Sequence, residues 1–379
     1  MNITATPRPP RLESRPYDCI AVIGAGSWGT ALAAVAATAG RDVRLYSRDP
    51  DIADAVSRDH VNPKYLPDVP LPKTLVALTD LAEALAGADA VLMVVPSRAV
   101  RSVAAEVAKH IAPGVPVAVC TKGIEPGTGL LMTQVAEQEL GAHPLGTVSG
   151  PTFARETALG HPTAASVAFP FTHMDRLAPH DSTAARFASS LSTESFRTYI
   201  SDDLIGVEIG GAVKNVIAIA CGMMTGAGFA ENTRAALITR GMDEMKTLAE
   251  ALGGRRETVT GLSGAGDLTL TCSSTTSRNM SLGMQLGQGI SRADCFDGRP
   301  VVVEGEANAA SVIDLARRVG VTMPICETVA SVLTGRAELR QAFRDLWTRP
   351  IEGEPRALDI SLANPVRVDA VPVPNKELI

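Results

Sequence analysis

The sequence has no paired cysteine motif, no excess of basic charge and no long uninterrupted apolar run, and each absence narrows what the chain can be. Its six cysteines, Cys19, Cys120, Cys221, Cys272, Cys295 and Cys326, stand far apart with no C-x-x-C, and the six histidines are equally scattered. That spacing predicts neither a metal site nor a disulfide framework, and it fits reduced thiols in a cytoplasmic protein. With 35 Lys and Arg against 41 Asp and Glu, the net charge of -6 argues against nucleic acid or an anionic membrane as main partner. A small phosphate in a local basic pocket stays open. No stretch of about 20 residues is apolar without charge or clustered glycine, so no membrane span is expected. The first eighteen residues, "MNITATPRPPRLESRPYD", are rich in Pro and Arg and have no apolar core, so they do not read as a signal peptide.

What is present describes an ordinary globular chain. Its 379 residues, 45% hydrophobic and 20% charged, suffice for two domains. From Asp18 to about Pro151, short Val/Ile-rich runs ("CIAVIG", "DVRLYS", "TLVAL", "DAVLMVVPS", "VPVAVCTKG", "LGTVSG") alternate with Ala/Leu-rich helical runs, the pattern of βαβ units. Several of these strands are apolar on both faces, as a parallel sheet covered by helices requires. Residues 163–200 read as two more strands around a helix near 182–191, able to extend the same sheet. After Asp203 the texture becomes long helical periodicity. The reading is therefore an α/β protein: a doubly wound sheet over 18–204 and an all-α domain over 205–348. A flexible extension over 1–17 and an extended Pro-rich tail over 349–379 flank them.

The run "AVIGAGSWGTALAAV" places G-x-G-x-x-G at the join of a strand and a helix. There Gly24 permits a tight turn, Gly26 lets backbone approach a pyrophosphate, and Gly29 lets the helix pack on the sheet, with the helix N-terminus facing the anion. Dinucleotide binding is the expectation. At the end of the second strand, "LYSRDP" offers Arg48, whose guanidinium suits a 2′-phosphate, so NADP(H) is expected over NAD(H); Asp49 keeps NAD(H) possible.

Further motifs carry candidate chemistry. "VCTKGIEPGTG" puts Lys122 just past a strand, at the edge where open α/β sheets bind ligands. "VSGPTFARE" gives a second strand-end loop in which Gly150 and Thr152 can donate hydrogen bonds. "GVEIGGAVKNVIAIACGMM" is an apolar helix interrupted by Lys214 and Asn215, and Gly210 and Gly211 are expected to leave the flank of Lys214 open to a small ligand. A buried lysine is costly without a task, and burial moves its pKa toward neutrality, as a proton-transferring group needs. In "GLSGAGDLTLTCSSTTSRNMSLG", a glycine loop carries Asp267, and Ser277, Arg278 and Asn279 open a helix as a compact phosphate or oxyanion site.

Together "GAGSWGTALA", "CTKGIE", "SGPTFARE", "GGAVKNVIAIACGM", "ALITRG", "GAGDLTLTC", "SRN" and "VVEG", in order from about Cys19 to Leu333, resemble the bacterial NAD(P)-dependent glycerol-3-phosphate dehydrogenases. The resemblance implies a Rossmann domain followed by a helical domain, and interconversion of sn-glycerol 3-phosphate and dihydroxyacetone phosphate for phospholipid synthesis. It implies Lys214 as the proton donor and acceptor. Lys122, Gly150, Thr152, Asp267, Ser277, Arg278 and Asn279 would hold substrate. Ser27, Trp28, Arg48, Lys122, Ala154, Arg278, Val302 and Glu304 would contact the cofactor. Pairing into a homodimer is expected. The loop "SGAGD", Thr233 and the Pro-rich tail depart from the family pattern. Rival readings are a reductase for another small substrate, such as a 3-hydroxy acid or ketopantoate, and a cofactor-binding regulator without turnover.

Overall fold

The first layer of the computed structural model, which describes residues 12–354 and 358–371, is an eight-stranded sheet. Its strands are β1 (Cys19–Ile23), β2 (Asp42–Tyr46), β3 (Val76–Leu78), β4 (Ala90–Met93), β5 (Val117–Val119), β6 (Leu145–Ser149), β7 (Thr163–Ala168) and β8 (Phe196–Ser201). They lie in the order β3-β2-β1-β4-β5-β6-β7-β8. The pairs from β3 to β6 are parallel. Ile20 to Ile23 and all of β4 are buried, because helices cover both faces of the sheet. The chain winds outward from β1 in both directions, so the loops leaving β1 and β4 part at their carboxyl ends and open a crevice there.

Residues 163–201 do continue the sheet. β7 turns back antiparallel to β6, and β8 pairs parallel with β7. Helix Thr183–Leu191 packs beneath them, capped by the Ser182 hydroxyl, which accepts from the Ala185 amide.

Three residues beyond the end of β8, the helix Leu204–Gly226 begins, capped by Asp203: Oδ1 accepts from Gly206 N at 2.9 Å and Oδ2 from Arg255 N at 2.8 Å. This helix is long and apolar enough to cross a membrane, yet 89% of its apolar window is buried by neighbouring helices, so it is the core of the helical half. Helix Arg278–Gly287 lies directly on it. Gly222 and Gly283 face each other, and a Cβ on either would strike the opposite helix at the Met280 or the Ile219 carbonyl. The glycines that interrupt the apolar run thus let two backbones touch. Helices Glu231–Ala251, Asp267–Ser273, Glu304–Arg318 and Pro324–Leu333 complete the wrapping.

Both ends differ from expectation where the structure describes them. Tyr17, placed by the sequence in a flexible extension, is 4% exposed: its ring lies 5.1 Å from Phe187, Arg186 stacks on it, and its amide donates to Ser190 Oγ at 2.7 Å. An aromatic residue with so complete a set of partners belongs to the core. Residues 1–11 of that extension lie outside the described residues. In the Pro-rich tail, β9 (Ile351–Glu352) and β10 (Ser361–Leu362) form an antiparallel ladder. Glu352 pairs with Arg240 at 2.9 Å, and Asn364 Nδ2 donates to the Arg349 carbonyl at 2.9 Å. Composition reported the local stiffness of proline and could not report this docking. Residues 355–357 and 372–379 of the tail lie outside the described residues.

Candidate active site

The three glycines after β1 occupy three different environments. Gly24 has φ +116°, and a Cβ there would meet the Val94 carbonyl; a Cβ at Gly29 would strike the Gly24 carbonyl, so helix Ser27–Thr38 is pressed onto the strand end. At Gly26 a Cβ would meet nothing within 4 Å. The open side of Gly26 adjoins a helix N-terminus that carries no side-chain cap, leaving its first N–H groups to an outside anion. These features fit a dinucleotide pyrophosphate. Asn62, fully buried, braces the turn by donating to the Ala25 carbonyl at 3.0 Å and to Thr30 Oγ1 at 2.8 Å. Ser27 Oγ donates to the Tyr65 carbonyl at 2.8 Å, while Trp28 and Ala154 pack on the same small cluster around Ala31 and Leu66.

Arg48 lies exposed two residues beyond the end of β2, and no ion pair holds it among the described residues. Its neighbour Asp49 is drawn away by Lys64 at 3.1 Å. The guanidinium is therefore the unengaged charge at the place where the ribose of a bound dinucleotide would lie.

The second half of the site is a cluster of two amines and one carboxylate, in which Lys214 and Asp267 are buried and Lys122 is part-buried. Lys214 Nζ, from the middle of Leu204–Gly226, donates to Asp267 Oδ1 at 3.0 Å and to Thr271 Oγ1 at 2.8 Å. Lys122 Nζ, from the loop after β5, donates to Asp267 Oδ2 at 2.6 Å and approaches the Gly150 carbonyl at 3.5 Å. Lys214 is 7% exposed and Asp267 2%. Burial pushes the Lys214 ammonium below the ordinary lysine value; Asp267 pulls the other way, and the Lys122 charge adds to the lowering. Burial alone would raise the Asp267 carboxyl, but the two lysines reverse that and hold it below its usual value.

Gly210 and Gly211, expected to leave space for a ligand, are covered by protein instead. A Cβ at Gly211 would lie 3.1 Å from Lys122 Cγ and 3.2 Å from Ser149 Oγ, and one at Gly210 would lie 2.9 Å from the Ser263 carbonyl. The bare step in the helix admits the stem of Lys122, which is how a residue of the sheet half reaches Asp267.

The expected phosphate corner is only partly as the sequence suggests. Ser277 caps helix Arg278–Gly287, its Oγ accepting from Met280 N at 3.3 Å, and Arg278 projects exposed from the first helical position. Asn279, however, points inward: Nδ2 donates to Asn215 Oδ1 at 2.9 Å and Oδ1 accepts from Gly305 N at 2.8 Å. Its amide is used to tie three helices together, since Asn215 in turn donates to Glu304 Oε2 at 3.2 Å. Thr152 Oγ1 turns back on the Gly150 carbonyl at 3.3 Å, and Val302 is exposed two residues before helix Glu304–Arg318.

Three residues of this arrangement are not legible as site residues in the sequence. Thr271, the second partner of Lys214, was detectable only as the residue one turn after Asp267 on the same helix face. Asn215 as a junction and Glu208, which bonds across to Thr133, left no signal beyond polarity in an apolar helix.

A doubly wound nucleotide-binding sheet meeting a helical bundle at a buried lysine is the architecture of the two-domain dinucleotide-dependent dehydrogenases. Residues 19–175 match the model for the NAD-dependent glycerol-3-phosphate dehydrogenase N-terminus, and residues 203–344 match that for its C-terminus. The chain belongs to this family. It is 48% identical over 334 residues to a glycerol-3-phosphate dehydrogenase [NAD(P)+] of Maricaulis maris, covering 88% of this chain and 97% of the relative. It is 47% identical over 338 residues to that of Rhodospirillum rubrum, covering 89% and 94%. The crystal structure of a glycerol-3-phosphate dehydrogenase from Coxiella burnetii superposes with a TM-score of 0.79 at 39% identity, over 88% of this chain and 99% of that one.

Proposed function

We propose that this protein is an NAD(P)-dependent sn-glycerol-3-phosphate dehydrogenase, which reduces dihydroxyacetone phosphate to glycerol 3-phosphate for glycerophospholipid synthesis and runs the reverse reaction. The observation that carries the reading is the buried Lys214 amine, bracketed by Asp267 and Thr271 at the seam of the two halves. Support comes from the names of the relatives, each called a glycerol-3-phosphate dehydrogenase.

Residues 18–204 would hold the dinucleotide through Gly24, Gly26, Ser27, Trp28, Gly29, Arg48 and Ala154, with Val302 and Glu304 of the helical half as further contacts. The bound cofactor supplies or accepts the hydride at C2 of the substrate. Arg48 favours NADPH over NADH. Residues 205–348 hold the chemistry. Arg278, the helix-start N–H groups of Arg278 and Asn279, the Ser277 corner and Lys122 take the substrate phosphate and hydroxyl oxygens, assisted by Gly150 and Thr152. Protonated Lys214 delivers its proton from Nζ to the C2 oxygen as negative charge develops there, and in oxidation neutral Lys214 removes it. Asp267 offsets the two ammonium charges, and Thr271 fixes the direction of the Lys214 amine.

The reading places the enzyme in the cytoplasm, consistent with six free cysteines, and as a homodimer, to be checked by light scattering on the eluted protein. The deciding experiment follows NADPH oxidation with dihydroxyacetone phosphate, with ketopantoate as the competing substrate. Lys214→Ala is expected to leave NADPH binding within about twofold and to lower turnover by about 10³ or more. Near-normal turnover would reject the role of Lys214, and preference for ketopantoate would reject the substrate.

A further inference from the structure

The segment that carries Lys122 belongs by sequence to the sheet half, yet much of its bonding is to the helical half. Arg318 donates from Nη1 to the Thr128 carbonyl at 2.5 Å and from Nη2 to the Gly127 carbonyl at 2.6 Å. Asn308 Oδ1 accepts from Ile124 N at 3.5 Å. At the far end Glu208, on the central helix, accepts from Thr133 N through Oε1 at 3.0 Å and bonds the Thr133 hydroxyl through Oε2 at 2.5 Å.

Thr133 is the second residue of helix Met132–Leu140, whose N-cap position is Leu131. Leucine has no side-chain oxygen to offer the first-turn amides, and a buried helix start without a partner is costly. Glu208 supplies that partner from the other half of the molecule and is itself 7% exposed. Along the central helix Glu208, Gly211 and Lys214 follow one another at turn spacing. The stem of Lys122 lies against Gly211, so residues 122–131 are pinned at one end beside Lys214 and at the other by Glu208. No ion pair or hydrogen bond joins Glu208 to Lys122 among the described residues, so any influence passes through the segment between them.

We propose that Glu208 is a positioning residue for Lys122: by capping helix Met132–Leu140 across the domain boundary, its carboxyl group fixes residues 122–131 on the central helix and sets where the Lys122 amine meets Asp267. The kinetic consequence rests on the dehydrogenase reading; the structural one does not.

The test compares Glu208→Gln, Glu208→Ala and Thr133→Ala in the full-length protein. A glutamine can accept from Thr133 N through its oxygen and donate to the Thr133 hydroxyl through its amide, so Glu208→Gln is expected to stay within about threefold of the parent. Glu208→Ala removes both bonds and is expected to raise KM for dihydroxyacetone phosphate about tenfold or more, with a smaller loss in kcat. Hydrogen exchange should show amides of 123–133 opening about tenfold faster in Glu208→Ala, with those of Ser27–Thr38 unchanged. Thr133→Ala removes only one bond and is expected to show both effects at a few-fold level, and it stands in if Glu208→Ala does not fold. An unchanged KM with unchanged exchange overturns the proposal. So does equal loss in Glu208→Gln and Glu208→Ala. If the parent protein does not turn over dihydroxyacetone phosphate, it is the dehydrogenase reading that fails, and the exchange pattern alone then decides the role of Glu208.

Discussion

Lys122 of the sheet half and Lys214 of the helical half grip opposite oxygens of one carboxylate, at 2.6 Å and 3.0 Å from Asp267. A buried Lys214 and a part-buried Lys122 sharing one buried anion leave the cluster with a surplus positive charge. That surplus suits an anionic substrate and makes the protonation of Lys214 sensitive to its surroundings.

The pH dependence of turnover follows from that sensitivity. Burial and Lys122 together place the Lys214 pKa below the ordinary lysine value. Reduction needs the ammonium, so its kcat should fall as pH rises through the lowered pKa. Oxidation needs the neutral amine, so its kcat should rise through the same point. Profiles in the two directions, measured at saturating substrates, should mirror each other; parallel profiles would contradict the assignment.

Replacing Asp267 by Asn keeps the volume and removes the compensating charge. The buried Lys214 would then face the part-buried Lys122 without a compensating charge, at a cost on the order of 3 kcal/mol, read from denaturant unfolding at neutral pH. The variant's Lys214 pKa should fall further, displacing the reduction profile to lower pH. Stability equal to that of the parent would mean that the cluster opens to water.

Glu208 adds a separate term to stability. Burial pushes its carboxyl up from 4.5 to about 7, against the hydrogen bonds from Thr133 and the Met132 amide. The folded state thus holds a proton that the unfolded state releases between about pH 4.5 and 7, so stability should decline as pH rises across that window. The full penalty, on the order of 3 kcal/mol, is reached above the folded pKa. Glu208→Gln cannot ionise and should melt higher than the parent at pH about 8, with the difference vanishing near pH 4. A constant difference across that range would refute the assignment.

Arg48→Asp tests cofactor choice. The ratio of kcat/KM for NADPH to that for NADH should drop by about 10² or more, because a favourable guanidinium is replaced by a carboxylate facing the 2′-phosphate. An equal loss with both cofactors would remove Arg48 from that role.

Much of this molecule is written along the chain. The strand-to-helix rhythm from Cys19 onward, the glycines at 24, 26 and 29, and the lysine inside an apolar helix are local patterns. Each is governed by forces that act within a few residues: backbone sterics, side-chain periodicity and the cost of burying charge. They sufficed to indicate a doubly wound sheet and a helical second half, and they singled out Lys214 as the candidate chemical centre.

What the chain could not state is which distant groups meet. That Asp267 serves two lysines, that Thr271 completes the environment of Lys214, that Asn279 turns inward, and that Glu208 caps a helix of the other half are settled by packing between segments far apart in sequence. The glycine pair at 210 and 211 shows the division most clearly. Sequence announces a gap in the helix surface, whereas only the assembled tertiary structure determines that the Ser263 carbonyl covers Gly210 and the stem of Lys122 covers Gly211.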